Sequence, residues 1–100
     1  MIHEIKLNVD FCDAVLRGEK TFEVRWTDRN YKKGDLIKFV PVASGGLPLE
    51  HPVMNKTYEI TYVLSGWGIN KGYCVFSIKK HKLSFRSLLI KILELGGDNA

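Results

Sequence analysis

Lys20, Glu23 and Arg25 fall within one short run in which polar and apolar residues alternate. Residues two apart on a strand share a face, so Glu23 and Arg25 stand side by side, and Lys20, just upstream, can bring its ammonium to the same spot. A carboxylate beside a compact cation and a planar guanidinium is suited to reading the polar edge of a base, or to holding a phosphate or carboxylate. Glu23 could also serve as a general base for an activated water, provided Lys20 or Arg25 stabilises the developing oxyanion. The same residues also make an ordinary exposed ion pair, worth ~0–1 kcal/mol and chemically idle. No phosphate-binding glycine loop, dinucleotide fingerprint or cluster with metal-ligand spacing accompanies them, and His3, His51 and His81 are scattered, so neither a metal nor a cofactor is expected.

The surrounding pattern supplies the elements that must position these groups. Ile2 to Asn8 alternates, with His3, Ile5 and Leu7 on one side, as a half-buried strand requires. A helix of roughly ten residues follows: Phe11, Cys12, Val15 and Leu16 lie at helical spacing, Asn8 or Asp10 can cap it, and Gly18 suits a left-handed stop. Lys20 to Trp26 is the second strand, with Phe22 and Val24 on its apolar face and Thr21, Glu23 and Arg25 on the other. Leu36 to Val42 is the third, after the turn at Gly34-Asp35. Residues 43 to 55, with Ser44-Gly45-Gly46, Pro48 and Pro52, read as one long exposed loop. Lys56 to Leu64 is a fourth strand, with Tyr58, Ile60, Tyr62 and Leu64 set against Thr57, Glu59 and Thr61, and Tyr73 to Ile78 is a fifth. Ser84 to Leu95 closes the chain with an apolar helical stripe, Phe85, Leu88, Leu89, Ile92 and Leu93. The plan is α+β: a small β-barrel of about five strands, a helix after strand one and an appended C-terminal helix. Residues 1–82 form the domain, and 83–100 an amphipathic helix and tail packed on it or on a partner, a homodimer through residues 84–95 being one such arrangement.

Bulk properties narrow the setting. A chain of 100 residues, 45% hydrophobic and 26% charged, is one ordinary globular domain with a single core. It has no apolar run fit for a signal peptide or a bilayer span, and Cys12 and Cys74 are too few for a disulfide framework, so reduced thiols and the cytoplasm are expected, without a membrane partner. The net charge of +4 is unevenly spread. Arg25, Arg29, Lys32, Lys33 and Lys38 outnumber Asp28 and Asp35, and Lys79, Lys80, Lys82, Arg86 and Lys91 outnumber Glu94 and Asp98. Two such segments attract a polyanion if they adjoin, or are simply solvated. Trp26, Tyr31 and Trp67 lie where a base could stack for ~1–3 kcal/mol each, or where they close the ends of the barrel.

The run Gly18-Glu19-Lys20-Thr21-Phe22-Glu23-Val24-Arg25 resembles the G-x-K-x-x-E-x-R motif of ASCH domains, within the PUA-like superfamily of β-barrels. His3-Glu4-Ile5-Lys6, the segment from Asp28-Arg29 through Tyr31 to Gly34-Asp35, and Gly72-Tyr73-Cys74-Val75 are similar to a small subgroup found in bacteria and their phages. The resemblance covers roughly residues 1 to 80. It implies a PUA-like barrel and a cleft between barrel and helix that receives RNA or a nucleotide, with Lys20, Glu23 and Arg25 in its wall and His3 and Trp26 beside them. Arg29, Lys32 and Lys33 would hold phosphates. It also implies an alternative, a small amidohydrolase acting on an acylated nucleoside such as N4-acetylcytidine. Lys20 matches that branch's lysine, but Glu23 stands where its threonine nucleophile belongs, which leaves Lys20, Thr21 and Glu23 as the catalytic candidates. A protein-interaction adaptor dimerising through the last helix is the third expectation.

Overall fold

The computed structural model describes residues 1–82 together with Ile90, Ile92 and Leu93. Strand β1, Ile2–Asn8, buries His3, Ile5 and Leu7 and exposes the residues between them. Asn8 ends the strand and begins helix α1, Val9–Leu16, where its side chain accepts the Asp10 N–H at 2.9 Å and satisfies one orphan donor of the first turn. Cys12 and Val15 face the core, and Gly18, at φ +78°, turns the chain away from the helix. Strands β2 (Phe22–Trp26), β3 (Leu36–Val42), β4 (Tyr58–Leu64) and β5 (Tyr73–Lys80) complete one sheet in the order β1-β3-β4-β5-β2. β1 and β3 run parallel; the other pairings are antiparallel. The sheet curls into a half-barrel around Ile37, Phe39, Ile60 and Phe76, each fully buried, and stays open along the seam where the edges of β1 and β2 face each other.

Two strands depart from their sequence pattern. β2 is turned inside out: Glu23 is buried, whereas Phe22, Val24 and Trp26, on what reads as the apolar face, are about half exposed. In β4 the register shifts between Ile60 and Tyr62, a bulge that changes the phase of alternation. Tyr62 therefore points to solvent, and Val63 packs against the core instead.

The segment between β3 and β4 is more ordered than an exposed loop. Pro48 bridges back to Val42, and a 3₁₀ turn at Pro52–Asn55 drops Val53 into the core. His51 Nδ1 accepts the Val53 N–H at 3.0 Å, which leaves the proton on Nε2 to be donated to Asp13 on α1 at 2.7 Å. This hydrogen bond holds the Asp13 carboxyl below the usual carboxylate value. Both cysteines are free and buried, and burial pushes their thiols up, away from the reactive thiolate. No helix among the described residues is long and apolar enough to cross a membrane. The helix expected over 84–95, apart from Ile90, Ile92 and Leu93, and with it the division at residue 83, lies outside the described residues.

Candidate functional site

The inverted face of β2 fills the seam with charge. Glu23 is 2% exposed and lies opposite Phe76 of β5, with its carboxylate pointing into the gap between β2 and β1. Lys20 donates to Glu23 Oε2 and, at 2.8 Å, to the Phe22 carbonyl. Arg25 donates to Oε1 from Nη2 at 2.7 Å and from Nε at 3.3 Å. A carboxylate removed from water costs several kcal/mol, and two cations with aligned N–H groups offset that cost. The Lys20 ammonium also sits 5.3 Å from the centre of the Phe11 ring and 5.1 Å from that of Phe22, within cation–π range.

The seam is bridged by side chains rather than by strand pairing. Arg25 Nη2 donates to the Lys6 carbonyl at 2.7 Å, and Arg29 Nη1 donates to the Glu4 carbonyl at 2.6 Å. Both acceptors are on the unpaired edge of β1, whose orphan carbonyls would otherwise need water or another strand. On one side of Arg25 lies a cavity of about 340 Å³, walled by Lys6, Asn8, Phe11, Lys20 and Glu23. On its other side a cavity of about 420 Å³ is lined by Glu4, Trp26, Asp28, Arg29 and Tyr31. Arg25 and Lys6 line both, so the two hollows form one charged groove along the seam. Their sizes suit a small ligand or one unit of a polymer.

Of the residues singled out in the sequence, Lys20, Glu23 and Arg25 converge, and Trp26 and Arg29 line the adjoining hollow. Thr21 does not join them. It precedes β2, is exposed, and lines a neighbouring cavity of about 250 Å³ with Arg17, Lys79 and Lys80, which meets the groove at Lys20. Lys32 and Lys33 are exposed on the β2–β3 connection and line neither hollow of the groove. Phe11, expected on the apolar face of the helix, is 48% exposed and forms a wall of the groove. Its place just inside the helix cap, ahead of the glycine and lysine of the motif, was the available signal. Among the described residues no three His, Cys, Asp or Glu side chains group closely enough to hold a metal ion.

His3, like Lys32 and Lys33, lines neither hollow; it is a satisfied core residue. It is 4% exposed, and its Nε2 lies 2.7 Å from Asp35 Oδ2. Its ring packs at 4.8 Å on Tyr31, which packs at 4.8 Å on Phe76, so the imidazole buttresses the floor of the groove from below. Burial alone would push the Asp35 carboxyl up, but the His3 hydrogen bond and the Lys32 N–H at 3.1 Å outweigh it and hold the group below the usual carboxylate value. A carboxyl depressed in the folded state adds stability above its unfolded pKa, about 3.9, and that stability is lost as pH falls through the folded value. Asp35→Asn should therefore flatten the loss of stability below about pH 4, measured by urea unfolding at a series of pH values. An unchanged acid limb would remove Asp35 from that account.

Residues 2–78 match the model of a family described as "Domain of unknown function (DUF3850)". A 36-residue stretch is 50% identical to "Uncharacterized 12.9 kDa protein in GpA 3'region" of Escherichia phage P2. The aligned stretch covers 36% of this chain and 33% of the phage protein, so the chain spans about a third of the length of the curated relative it matches.

Proposed function

The chain belongs to the family described as a domain of unknown function (DUF3850), and we propose that in its fold, read as a PUA-like half-barrel of the ASCH kind, the seam between β1 and β2 binds RNA or a nucleotide. The observation that carries this reading is Glu23, buried between two cations on a strand whose Phe22 and Val24 face solvent. A sheet built for stability alone would have turned those two apolar side chains inward, because burying each contributes about 1.5–3 kcal/mol. Their exposure is a cost that a binding site explains.

The division of labour follows from counting donors. The Glu23 carboxylate accepts from both cations, so its part is to orient them. One N–H of Lys20 and the Nη1 side of Arg25 are left for a ligand. Cationic donors select acceptors: a base carbonyl or ring nitrogen, or a phosphate oxygen. The half-exposed Phe11 ring offers a stacking surface worth ~1–3 kcal/mol, and Arg29 with Trp26 extends the contact into the second hollow. None of the residues lining the first hollow carries a hydroxyl, so a threonine nucleophile is not among its walls.

Titrating short single-stranded RNA and DNA and mononucleotides into the protein at low salt tests the reading. Binding should fall steeply as salt is raised. Arg25→Ala and Lys20→Ala should each weaken it by roughly tenfold to a hundredfold, as loss of a charged hydrogen bond of ~1.5–3 kcal/mol requires. Absence of binding across the whole series would end the proposal.

A further inference from the structure

Past Arg29 the groove continues. A hollow of about 420 Å³ shares Asp28, Arg29 and Tyr31 with the second hollow of the seam and adds Asn30 and Ser65 to its walls. A further one, of about 390 Å³, shares Thr27 and Ser65 with it and follows the β4–β5 connection to Asn70, Lys71 and Tyr73. Tyr73 stacks on Trp26 at 4.2 Å, and a Cβ on Gly72 would stand 2.7 Å from that indole, so the two rings and the Gly72 backbone form one wall between the seam and the connection. Counted from Lys20, four hollows follow one another, each the size of one unit of a polymer.

At the far end the backbone is strained. Trp67 has φ +52°, in the left-handed region that a bulky side chain avoids, and stands between Gly66 at +71° and Gly68 at +87°. Its side chain is 92% exposed, so packing does not offset the strain. Gly66 and Ile69, on either side of it, line the last hollow, which puts Trp67 at the rim. A strained and exposed indole is accounted for by a partner that stacks on it.

We infer that the ligand of the groove is an unpaired nucleic-acid strand several nucleotides long, running from Lys20 past Arg29 to Lys71, with Trp67 stacking on a base at its far end. The inference rests on the nucleotide reading of the seam and sets the length and form of what binds there. Lys20, Arg25, Arg29 and Lys71 recur along the path, as a run of phosphates requires. Between Arg29 and Lys71 the walls carry Asn30, Ser65, Asn70 and the Asp28 carboxylate, which suit the donors and acceptors of base and sugar edges rather than further phosphates. A duplex keeps its base faces within its own stack, so the aromatic rim selects an unpaired strand.

Equilibrium titrations with a mononucleotide and with single strands of about two, four and eight nucleotides, at one salt concentration, test this. Affinity should rise by at least about tenfold from the mononucleotide to the longest strand. Trp67→Ala should weaken binding of the longest strand by roughly fivefold to a hundredfold and leave mononucleotide binding unchanged, while Trp67→Phe keeps most of the affinity. Lys71→Ala should lower the salt dependence by about one phosphate contact. A strand that binds no more tightly than the mononucleotide, or that is indifferent to Trp67→Ala, overturns the inference and leaves the seam as a nucleotide site. A duplex or an acidic peptide of matched charge that binds as tightly as the strand also overturns it, because charge alone is then being read. If neither strand nor mononucleotide binds, the nucleotide reading of the seam fails, and this inference with it.

Discussion

Replacing Lys20 and Arg25 together by methionine is expected to lower the free energy of unfolding by about 3–5 kcal/mol, because it strands the Glu23 carboxylate without a partner. Glu23 is 2% exposed and opposite Phe76, so without those partners its carboxylate is left desolvated. Replacing all three residues, by Met, Leu and Met, should reverse the effect and give a protein at least as stable as the wild type, since apolar groups of similar volume carry no desolvation cost. Urea unfolding of the three proteins measures both differences. If the triad is kept for a ligand, the triple variant combines full stability with loss of nucleotide or RNA binding. A triple variant as unstable as the double would mean that the charges themselves hold the seam together.

Phe76→Ala should cost a similar amount, about 3–5 kcal/mol, through lost burial and the cavity left behind. Phe76 is fully buried, sits opposite Glu23 and packs on Tyr31, which in turn packs on His3. The cavity therefore opens directly under the groove, and few neighbours can collapse into it. For a domain of this length the melting temperature should drop by more than about 12 °C, which calorimetry would record. A drop of only a few degrees would show that Tyr31 and the strands around it relax into the gap.

The alternation of His3, Ile5 and Leu7, and the apolar run from Leu36 to Val42, placed β1 and β3 with their observed limits, because those strands bury one face and carry the signal in their own residues. The spacing of Glu23 and Arg25 likewise implied their shared side of β2, with Lys20 within reach just upstream. Which side faced inward was not legible. A strand alternating charged and apolar residues has the same period either way up, and only the unpaired edge of β1, with carbonyls for Arg25 and Arg29, makes the charged side the inner one. The β4 bulge was hidden for a related reason: Tyr58, Ile60, Tyr62 and Leu64 keep perfect alternation in sequence, and the extra residue appears only once the strand is paired with β5. Long-range partners decided the remaining cases, as with His3 held by Asp35 and His51 by Asp13.

A barrel wall fastened at one line by two guanidinium groups differs mechanically from a wall closed by a ladder of amide pairs. Parting the seam means exchanging the Lys6 and Glu4 carbonyls for other acceptors, while the β1–β3 and β2–β5 ladders and the core behind them remain whole. An incoming oxyanion is itself such an acceptor, so the guest can supply what the latch gives up. On the proposed reading, admission and release of a nucleotide would need no unfolding of the container, only a change of whom the arginines hold.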